Sequence, residues 1–385
     1  MQTSTSEIKR AAQKSESLKI CILGTRGIPN KYGGFEQFAE KFATRMAEKG
    51  HEVYVYNSHR HSYQGEQYKK VKLIRCFDPE HRMGSAGQFV YDLNCIIDSR
   101  KRSFDIILQL GYTSSTIWSW LLPRNAVIVT NMDGLEWQRA KYNKLTQWFL
   151  SYAEKWGARY SDFLIADSKG IKDYLWERYQ VSAAYIPYGA EVYVPSELTA
   201  PILPEFGLEA SGYDLLVARF EKENNIELAL KAYAQQPDKL LALVGDHQAT
   251  RFGQHCYQRF RNFSNIRFLG PVYDDTVLHE LRFFCRLYIH GHSVGGTNPS
   301  LLEAMACSAV ILAHDNIFNR AVLRNNAYYF SNADQLRIVS SGYAQQEEQR
   351  RWKRENIRRI EEYYNWDNIT DKIEAAFCAW RKSRK

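Results

Sequence analysis

Short apolar runs that alternate with helical stretches are the feature that most limits how this chain can fold. Runs rich in β-branched and aromatic residues recur along both halves of the sequence, at 18–23, 53–56, 104–110, 126–130, 163–166, 185–187, 214–218, 240–244, 266–269, 286–289 and 310–313. Amphipathic stretches separate them, such as 145–159 with its stripe of tryptophan and leucine. Strands that alternate with helices form parallel sheets covered on both faces. The sequence therefore predicts an α/β fold of doubly wound, Rossmann-like domains.

A break rich in proline and glycine divides this pattern into two halves. It spans 192–213 and contains three prolines and two glycines, residues that interrupt regular structure. The 385 residues exceed what one ordinary core holds, so two domains are expected. The predicted parts are a disordered tail at 1–17, an N-terminal domain at 18–191, a linker at 192–213, a C-terminal domain at 214–360, and a helix at 361–385 that crosses back to the N-terminal domain.

The net charge of +8 raises the question of an acidic partner. Basic residues cluster at 100–102, 350–359 and 381–385. Solvated helix faces are the structural explanation, and an anionic membrane surface or a nucleic acid is the functional one. No nucleic-acid motif accompanies the clusters, so we favour the membrane. No apolar run approaches the ~20 residues that span a bilayer.

The cysteines and the first residues indicate the compartment. Seven cysteines are scattered without a CxxC pair, several of them in apolar runs, which predicts free, mostly buried thiols in a reducing cytoplasm. The first 17 residues are polar and lack the apolar core of a secretory signal, so none is expected. No metal site is predicted.

A glycine-rich loop follows the first predicted strand, at 24–34. Its spacing differs from the GxGxxG fingerprint, which disfavours a nicotinamide dehydrogenase. Gly33 and Gly34 permit close approach of a backbone to a ligand, whereas the structural alternative is a turn that needs a positive φ. Two glycine clusters in one loop exceed what a turn requires, so we favour a ligand.

A second glycine-rich segment, 290–306, joins a predicted strand to a predicted helix. Such a turn presents unpaired backbone N–H groups with the helix dipole behind them, which is a phosphate site. Glu303 lies one turn inside the helix, where it could accept hydrogen bonds from hydroxyls of the phosphate's carrier. The alternative is a tight turn with Glu303 as a favourable first-turn acid.

Three more polar residues follow predicted strands. Asp133 and Glu136 come after the run at 126–130 and are the carboxylates expected in the crevice, although Asp133 is equally suited to cap a helix. Arg219 follows the first strand of the second half. It is placed to reach a phosphate, and a surface ion pair is its structural alternative.

Together these segments resemble GT-B glycosyltransferases of the retaining family 4 type. The resemblance covers most of 18–380 and depends on 24–34, Val217-Ala-Arg219 with Glu223-Asn-Asn225, Phe268-Leu-Gly270, and 295–306. Bacterial rhamnosyltransferases of cell-wall and capsular polysaccharide assembly are closer still. The segments similar to theirs are Gly24-Thr-Arg-Gly-Ile-Pro29, Tyr32-Gly-Gly-Phe-Glu36, Asp133-Gly-Leu-Glu-Trp137 and His290-Gly-His-Ser-Val-Gly-Gly-Thr-Asn-Pro299. The resemblance implies two Rossmann-like domains facing a cleft, with C-terminal helices packing back toward the N-terminal domain.

The resemblance also implies roles for individual residues. Arg219 matches the arginine that holds the donor diphosphate, and Glu303 matches the second acid of the E-x7-E motif, which binds the ribose. The implied catalytic residues are Asp133, Glu136 and Arg219, the two acids positioning the acceptor. The implied donor-binding residues are Arg219, Lys222, Asn224, Val272, His292, Gly295, Gly296, Thr297, Asn298 and Glu303. The implied acceptor and diphosphate loop contains Arg26, Gly33 and Gly34.

Two positions depart from the family pattern. Gly295 stands where the first acid of E-x7-E would fall, and Asn224 stands where a lysine usually accompanies the arginine. Lys222 or the helix dipole would then share the diphosphate charge with Arg219. Loss of the acid suits a donor other than a D-hexose, because a buried acid without a matching hydroxyl is costly. A backbone role for Gly295 and Gly296 is the competing explanation.

We therefore expect a metal-independent β-1,4-rhamnosyltransferase. Its donor would be dTDP-β-L-rhamnose, and the sugar would pass with retention to a lipid-linked N-acetylhexosamine at the cytoplasmic face of the membrane. The alternatives are transfer from a UDP- or GDP-hexose, a GT-B epimerase or phosphorylase, and a non-catalytic protein that binds nucleotide sugars.

Overall fold

The computed structural model describes residues 17–31, 33–132, 134–139, 142–195, 202–342 and 346–384. Its strands are β1 Lys19–Leu23, β2 Glu52–Ser58, β3 Gln67–Tyr68, β4 Val71–Cys76, β5 Ile106–Leu110, β6 Val127–Asn131, β7 Phe163–Ala166, β8 Ala183–Tyr185, β9 Tyr213–Val217, β10 Leu240–Val244, β11 Ile266–Gly270, β12 Leu287–His290, β13 Ile311–His314 and β14 Tyr328–Phe330. Its α-helices are α1 Gly34–Glu48, α2 Glu80–Met83, α3 Gly87–Ser99, α4 Lys144–Tyr160, α5 Lys169–Tyr179, α6 Ile226–Tyr233, α7 Arg251–Phe260, α8 Asp275–Phe284, α9 Pro299–Ala306, α10 Ile317–Leu323, α11 Ala333–Ser341, α12 Gln346–Tyr363 and α13 Trp366–Ser383. Most of the predicted tail at 1–17 lies outside the described residues.

The chain forms two compact units that do not follow sequence order. The first consists of Met1–Leu110, Trp118–Val129 and Thr370–Lys385. The second consists of Gly111–Ile117 and Thr130–Ile369. Each contains parallel β-structure covered by helices, which confirms the predicted fold class. The predicted domain boundaries stay a prediction.

The first unit is organised around β1. The strand order is β3-β4-β2-β1-β5-β6, and β1 pairs in parallel with both β2 and β5. Ile20 to Leu23 are fully buried, as expected of an apolar central strand. The chain leaves β1 at Gly24, whose φ is +90° and whose Cα approaches the Leu110 carbonyl so closely that a Cβ would collide with it. Glycine is required at this turn.

The end of the last helix belongs to the first unit. Phe377 of α13 is fully buried and packs edge-on against Phe42 of α1, with ring centroids 6.0 Å apart. Glu374 accepts a hydrogen bond of 2.8 Å from Lys49 and lies 2.9 Å from Nε2 of His51. The C-terminal helix therefore packs on N-terminal residues, as the sequence resemblance implied.

The second unit contains a six-stranded parallel sheet in the order β11-β10-β9-β12-β13-β14. The chain builds outward from β9 to β10 and β11, and then returns to the other side of β9 as β12. The strand order therefore reverses between β9 and β12. Open α/β sheets bind ligands at the carboxyl ends of such neighbouring strands. Residues 218–225 and 291–298 follow these two ends.

Three strands were not predicted from the sequence, and one of them, β3, has only two residues. β4 has the sequence Val-Lys-Leu-Ile-Arg-Cys, in which charged residues interrupt the apolar run, and β14 has only three residues. Part of the predicted linker, 196–201, lies outside the described residues, and Leu203–Phe206 forms a 3-10 turn.

Two further expectations concern thiols and membrane spans. All seven cysteines are free, and six of them are buried. None of the helices among the described residues is long and apolar enough to cross a bilayer.

Candidate functional site

The loops after β9 and β12 in the second unit are tied together by hydrogen bonds. The Asn225 side chain donates to the Gly291 carbonyl at 2.8 Å. Ser293 donates to the Glu223 carbonyl from its backbone N–H at 3.0 Å and from its hydroxyl at 2.8 Å. A Cβ at Gly291 would collide with the Asn224 carbonyl oxygen, so this close packing requires glycine. The two loops therefore form one surface at the strand-order reversal.

The β9 loop offers two exposed cations. Arg219 and Lys222 both extend into solvent. Asn224, which replaces the lysine expected by the resemblance, is buried instead, and its side-chain amide donates to the Arg219 carbonyl at 2.7 Å. Asn224 thus shapes the backbone that carries Arg219, and positive charge comes from its neighbours.

Glu303 lies on α9 and pairs with a residue that sequence reasoning missed. Its Oε2 is 2.5 Å from Nη2 of Arg282, whose side chain is only 2% exposed. Burial disfavours the charged guanidinium, but the adjacent Glu303 carboxylate raises the pKa of Arg282 above its ordinary value. The available signal was a lone arginine in the otherwise apolar stretch Leu-Arg-Phe-Phe at 281–284. Glu303 therefore neutralises a buried cation while 14% of its side chain stays exposed.

The turn before α9 is held by a carboxylate. The Thr297 N–H donates to Oδ2 of Asp167 at 2.9 Å, and the Thr297 hydroxyl donates to the Asp167 carbonyl at 2.7 Å. Asp167 is buried, and a Cβ at Gly296 would collide with its carboxylate. An amide expected to meet a phosphate is therefore occupied by an anionic side chain.

Asn298 caps the same helix. Its side-chain oxygen accepts a hydrogen bond of 2.9 Å from the Ser300 N–H, and Pro299 at the first helical position has no N–H to satisfy. Gly295, two residues before Thr297, has a φ of +115°. Apart from its two chain neighbours, no described residue has an atom within 4 Å of where a Cβ at Gly295 would stand, so open space adjoins the position of the missing acid.

Two stacked histidines lie at the end of β12 and in the loop after it. The rings of His290 and His292 are 4.5 Å apart and nearly parallel, and His290 is fully buried while His292 is partly buried. Three of their ring nitrogens have no hydrogen-bond partner among the described residues. These are Nδ1 and Nε2 of His290 and Nδ1 of His292. Burial, reinforced by the positive charges of Arg219 and Arg139, lowers the pKa of His292 to about 3. His292 is therefore a neutral imidazole at pH 7.

A carboxylate–arginine–carboxylate cluster includes Glu136, one of the two predicted acids. Nη2 of Arg139 is 2.5 Å from Glu136, and its Nη1 is 3.5 Å from Oε1 of Glu223. Oε2 of Glu223 is buried and lacks a hydrogen-bond partner in the described part of the chain. Arg139 and Glu223 were not among the predicted site residues, although Glu223 belongs to the segment that carried the resemblance. Asp133 lies outside the described residues.

The remaining predicted residues are placed as follows. Val272 follows β11 and is partly buried. In the first unit, Arg26 donates to Glu80 through Nε at 2.7 Å, and its backbone N–H donates to Glu36 at 3.0 Å. Burial works against the charge of Arg26, but its contact with Glu80 raises the pKa.

Gly33 and Gly34 do not have the backbone geometry that their structural alternative requires. Gly33 has an extended backbone with a φ of 179°, and Gly34 is the first residue of α1. The positive φ values in this loop belong to Gly24 and Gly27. A need for positive φ therefore does not explain the glycines at 33 and 34.

Comparison with known families matches two adjoining parts of the chain. Residues 17–191 match the domain of unknown function DUF1972, and residues 210–359 match the glycosyl transferases group 1 family. Among curated protein sequences, none matches this chain.

Solved structures share the fold at low sequence identity. Sucrose-phosphate synthase (tll1590) from Thermosynechococcus elongatus is 17% identical with a TM-score of 0.76, covering 93% of this chain and 98% of that one. HepE (Alr3699) from Anabaena, in complex with UDP and glucose, is 15% identical with a TM-score of 0.72, covering 93% and 99%. The catalytic domain of starch synthase IV from Arabidopsis thaliana, bound to ADP and acarbose, is 12% identical with a TM-score of 0.68, covering 95% and 100%. The shared fold and the two family matches identify the chain as a group 1 glycosyltransferase of the GT-B type that carries a DUF1972 domain.

Proposed function

We propose that the chain transfers L-rhamnose from dTDP-β-L-rhamnose to a lipid-linked N-acetylhexosamine, with retention and as a β-1,4 linkage. The observation that carries the sugar assignment is the open space beside Gly295, where the resembled family has an acid for a D-hexose. A 6-deoxy sugar of the L series needs space for its methyl group and has hydroxyls in other directions. The positive φ of Gly295 supports the competing backbone explanation, and the two are compatible.

The nucleotide-sugar class of the donor is supported by structural relatives. HepE has been solved with UDP and with UDP-glucose, and starch synthase IV with ADP. In this chain, Arg219 and Lys222 are the exposed cations that would neutralise the diphosphate. Glu303 would accept the 3′-hydroxyl of the deoxyribose, so discrimination against uridine donors should be modest.

Catalysis would depend on stabilising the departing nucleotide. Negative charge grows on the diphosphate as the bond to the sugar breaks, and preorganised cations and N–H groups lower the barrier. Arg219 and Lys222 would supply the cations, and the positive end of the α9 dipole would add to their effect. With retention, the departing phosphate oxygen can take the acceptor's proton. Glu136, together with Asp133, would then orient the acceptor hydroxyl.

Two buried groups are suited to contact the sugar. Oε2 of Glu223 and Nδ1 of His292 have unused hydrogen-bonding capacity in the described part of the chain, and a buried polar group without a partner is costly. A sugar hydroxyl that reached either group would relieve that cost. We propose that they supply the sugar contacts that Gly295 cannot make.

The acceptor assignment places the protein at the inner leaflet of the membrane. A lipid-linked acceptor lies at the membrane surface, and a protein with a net charge of +8 is attracted to a membrane surface that contains anionic lipids. Nothing in the proposed chemistry needs a metal ion, because Arg219, Lys222 and the helix N-terminus supply the positive charge.

The test is transfer itself. Enzyme and a lipid-linked N-acetylglucosamine acceptor are incubated separately with dTDP-rhamnose, UDP-glucose and GDP-mannose, and the anomeric configuration of any product is determined by NMR. We expect a β-rhamnoside from dTDP-rhamnose. Transfer only from a hexose donor would overturn the sugar assignment, and an α-rhamnoside would overturn retention. Binding of donor without hydrolysis or transfer to any acceptor would favour a non-catalytic relative.

A further inference from the structure

Helix α4 exposes an apolar and aromatic stripe to solvent. Leu145 is 74% exposed, Trp148 59%, Tyr152 43% and Tyr160 51%. The spacing of 145, 148 and 152 places these three side chains on one face of the helix. Tyr152 also lies between two tryptophans, with ring centroids 4.6 Å from Trp148 and 6.4 Å from Trp156. Large apolar side chains exposed in a continuous row mark an interaction surface.

The charges of α4 are segregated in a way that identifies the partner. Its cations, Lys144, Lys155 and Arg159, are all exposed. Its one acid, Glu154, is buried on the opposite face. There the hydroxyls of Tyr174 and Tyr179 donate to it at 2.7 and 2.6 Å. The outward face of α4 is therefore positive as well as aromatic.

These cations are available to an external anion. Within the ranges that the structure describes, Lys144, Lys155 and Arg159 form no ion pair with an acidic side chain, and Arg159 lies over the Tyr160 ring at 5.9 Å. The basic run on α12 differs, because Arg351 lies 3.6 Å from Glu348 and Arg358 lies 2.7 Å from Glu362. Much of the charge of α12 is neutralised by its own acids.

We propose that α4 lies in the interface of an anionic bilayer and is the surface through which the protein contacts the membrane. Tryptophan and tyrosine favour the headgroup level because their rings are apolar and their N–H or O–H groups are polar. Flanking lysine and arginine reach anionic headgroups while their stems cover apolar surface. The helix has 17 residues and is about 26 Å long, so it contacts lipid along its side. Contact with the membrane would bring the enzyme to the proposed lipid-linked acceptor. Only this biological role rests on the proposed function, because membrane binding itself does not require it.

The test measures binding to vesicles without donor or acceptor. The full chain and two variants, Trp148→Ala and Lys155→Gln/Arg159→Gln, are floated with phosphatidylcholine vesicles that contain either no phosphatidylglycerol or about one third of it. We expect wild type to bind the anionic vesicles, less so at high salt. The double variant should bind roughly 25-fold more weakly, which corresponds to about 1 kcal/mol for each cation. Trp148→Ala should bind more weakly at every salt concentration.

The matched control removes two exposed cations from α12, as Arg350→Gln/Arg354→Gln, and it should bind like wild type within about twofold. An equal loss in the control would overturn the assignment of the surface to α4. So would a concentration-dependent dimer that Trp148→Ala abolishes, because α4 would then be a protein interface. Calorimetric binding of dTDP is measured on all variants and should not change. If dTDP fails to bind wild type while the vesicle results hold, the proposed function fails and the membrane surface stands.

Discussion

At the scale of single residues, the Glu303 carboxylate has two roles. It neutralises the buried Arg282, and it is the proposed partner of a deoxyribose hydroxyl. Glu303→Gln would leave a buried guanidinium without its counter-charge, so we expect the free energy of unfolding to fall by roughly 3 kcal/mol. Affinity for dTDP should fall as well, by roughly 1.5–3 kcal/mol, the range for a hydrogen bond to a charged group. Chemical denaturation and calorimetry measure the two effects separately.

The control for Glu303 is the same substitution in an exposed pair. Glu362 contacts Arg358 at 2.7 Å, with 42% and 64% of the two side chains exposed. Glu362→Gln should change stability by less than about 1 kcal/mol. Loss of stability in Glu303→Gln with unchanged dTDP affinity would show that Glu303 acts only on Arg282.

Asp167 yields a second prediction at this scale. Its carboxylate holds the Thr297 N–H, which a donor diphosphate would compete for. Asp167→Asn keeps an acceptor oxygen but weakens the hydrogen bond by about 1 kcal/mol, so dTDP should bind roughly fivefold more tightly. Calorimetry measures the affinity, with Asp173→Asn on the exposed face of α5 as the control. Weaker dTDP binding in Asp167→Asn would mean that Asp167 stabilises the binding-competent turn.

At the scale of secondary-structure elements, β12 and the loop after it make the fold sensitive to acid. Burial lowers the pKa of His290 far below its usual range and that of His292 to about 3. In the unfolded chain these two imidazoles take up protons near pH 6.5, whereas in the folded chain they stay neutral at that pH. Stability is therefore fully present above pH 6.5. It falls as the pH drops toward the lowered pKa values, by about 1.4 kcal/mol per pH unit for each histidine.

The measurement is the free energy of unfolding between pH 7 and 5. His292→Gln removes one titrating group, so its slope should be shallower than that of wild type by about 1.4 kcal/mol per pH unit. An unchanged slope in His292→Gln would contradict a neutral His292.

At the scale of the whole molecule, the donor should stabilise the fold in proportion to its affinity. A ligand at 100 times its dissociation constant adds roughly 2.7 kcal/mol to the free energy of unfolding. At equal concentrations, dTDP-rhamnose should therefore raise the melting temperature more than dTDP-glucose does. The two ligands share a nucleotide, so the difference measures recognition of the sugar. A larger shift from dTDP-glucose would contradict the proposal that the space beside Gly295 accepts rhamnose.

Much of this architecture could be predicted from the sequence. β1, β7 and β10 were located to within a residue, because a strand buried on both faces must be a short, continuous apolar run. β4 was missed because its lysine and arginine interrupt such a run. The glycine-rich segments at 24–34 and 290–306 could be recognised for a related reason, since glycine, asparagine and proline cluster where a backbone must turn sharply.

The sequence by itself determined that parallel strands would bring polar loops to one sheet edge, because alternating strands and helices allow few other arrangements. Only the tertiary structure decided which side chains meet there. Arg282 with Glu303, Asp167 with Thr297, and Arg139 with Glu223 are separated by 21, 130 and 84 residues. The separation of 21 positions between Arg282 and Glu303 exceeds the reach of helical or strand periodicity, and the other two pairs are farther apart still. Partners at such distances depend on how the strands are ordered, which no local pattern records.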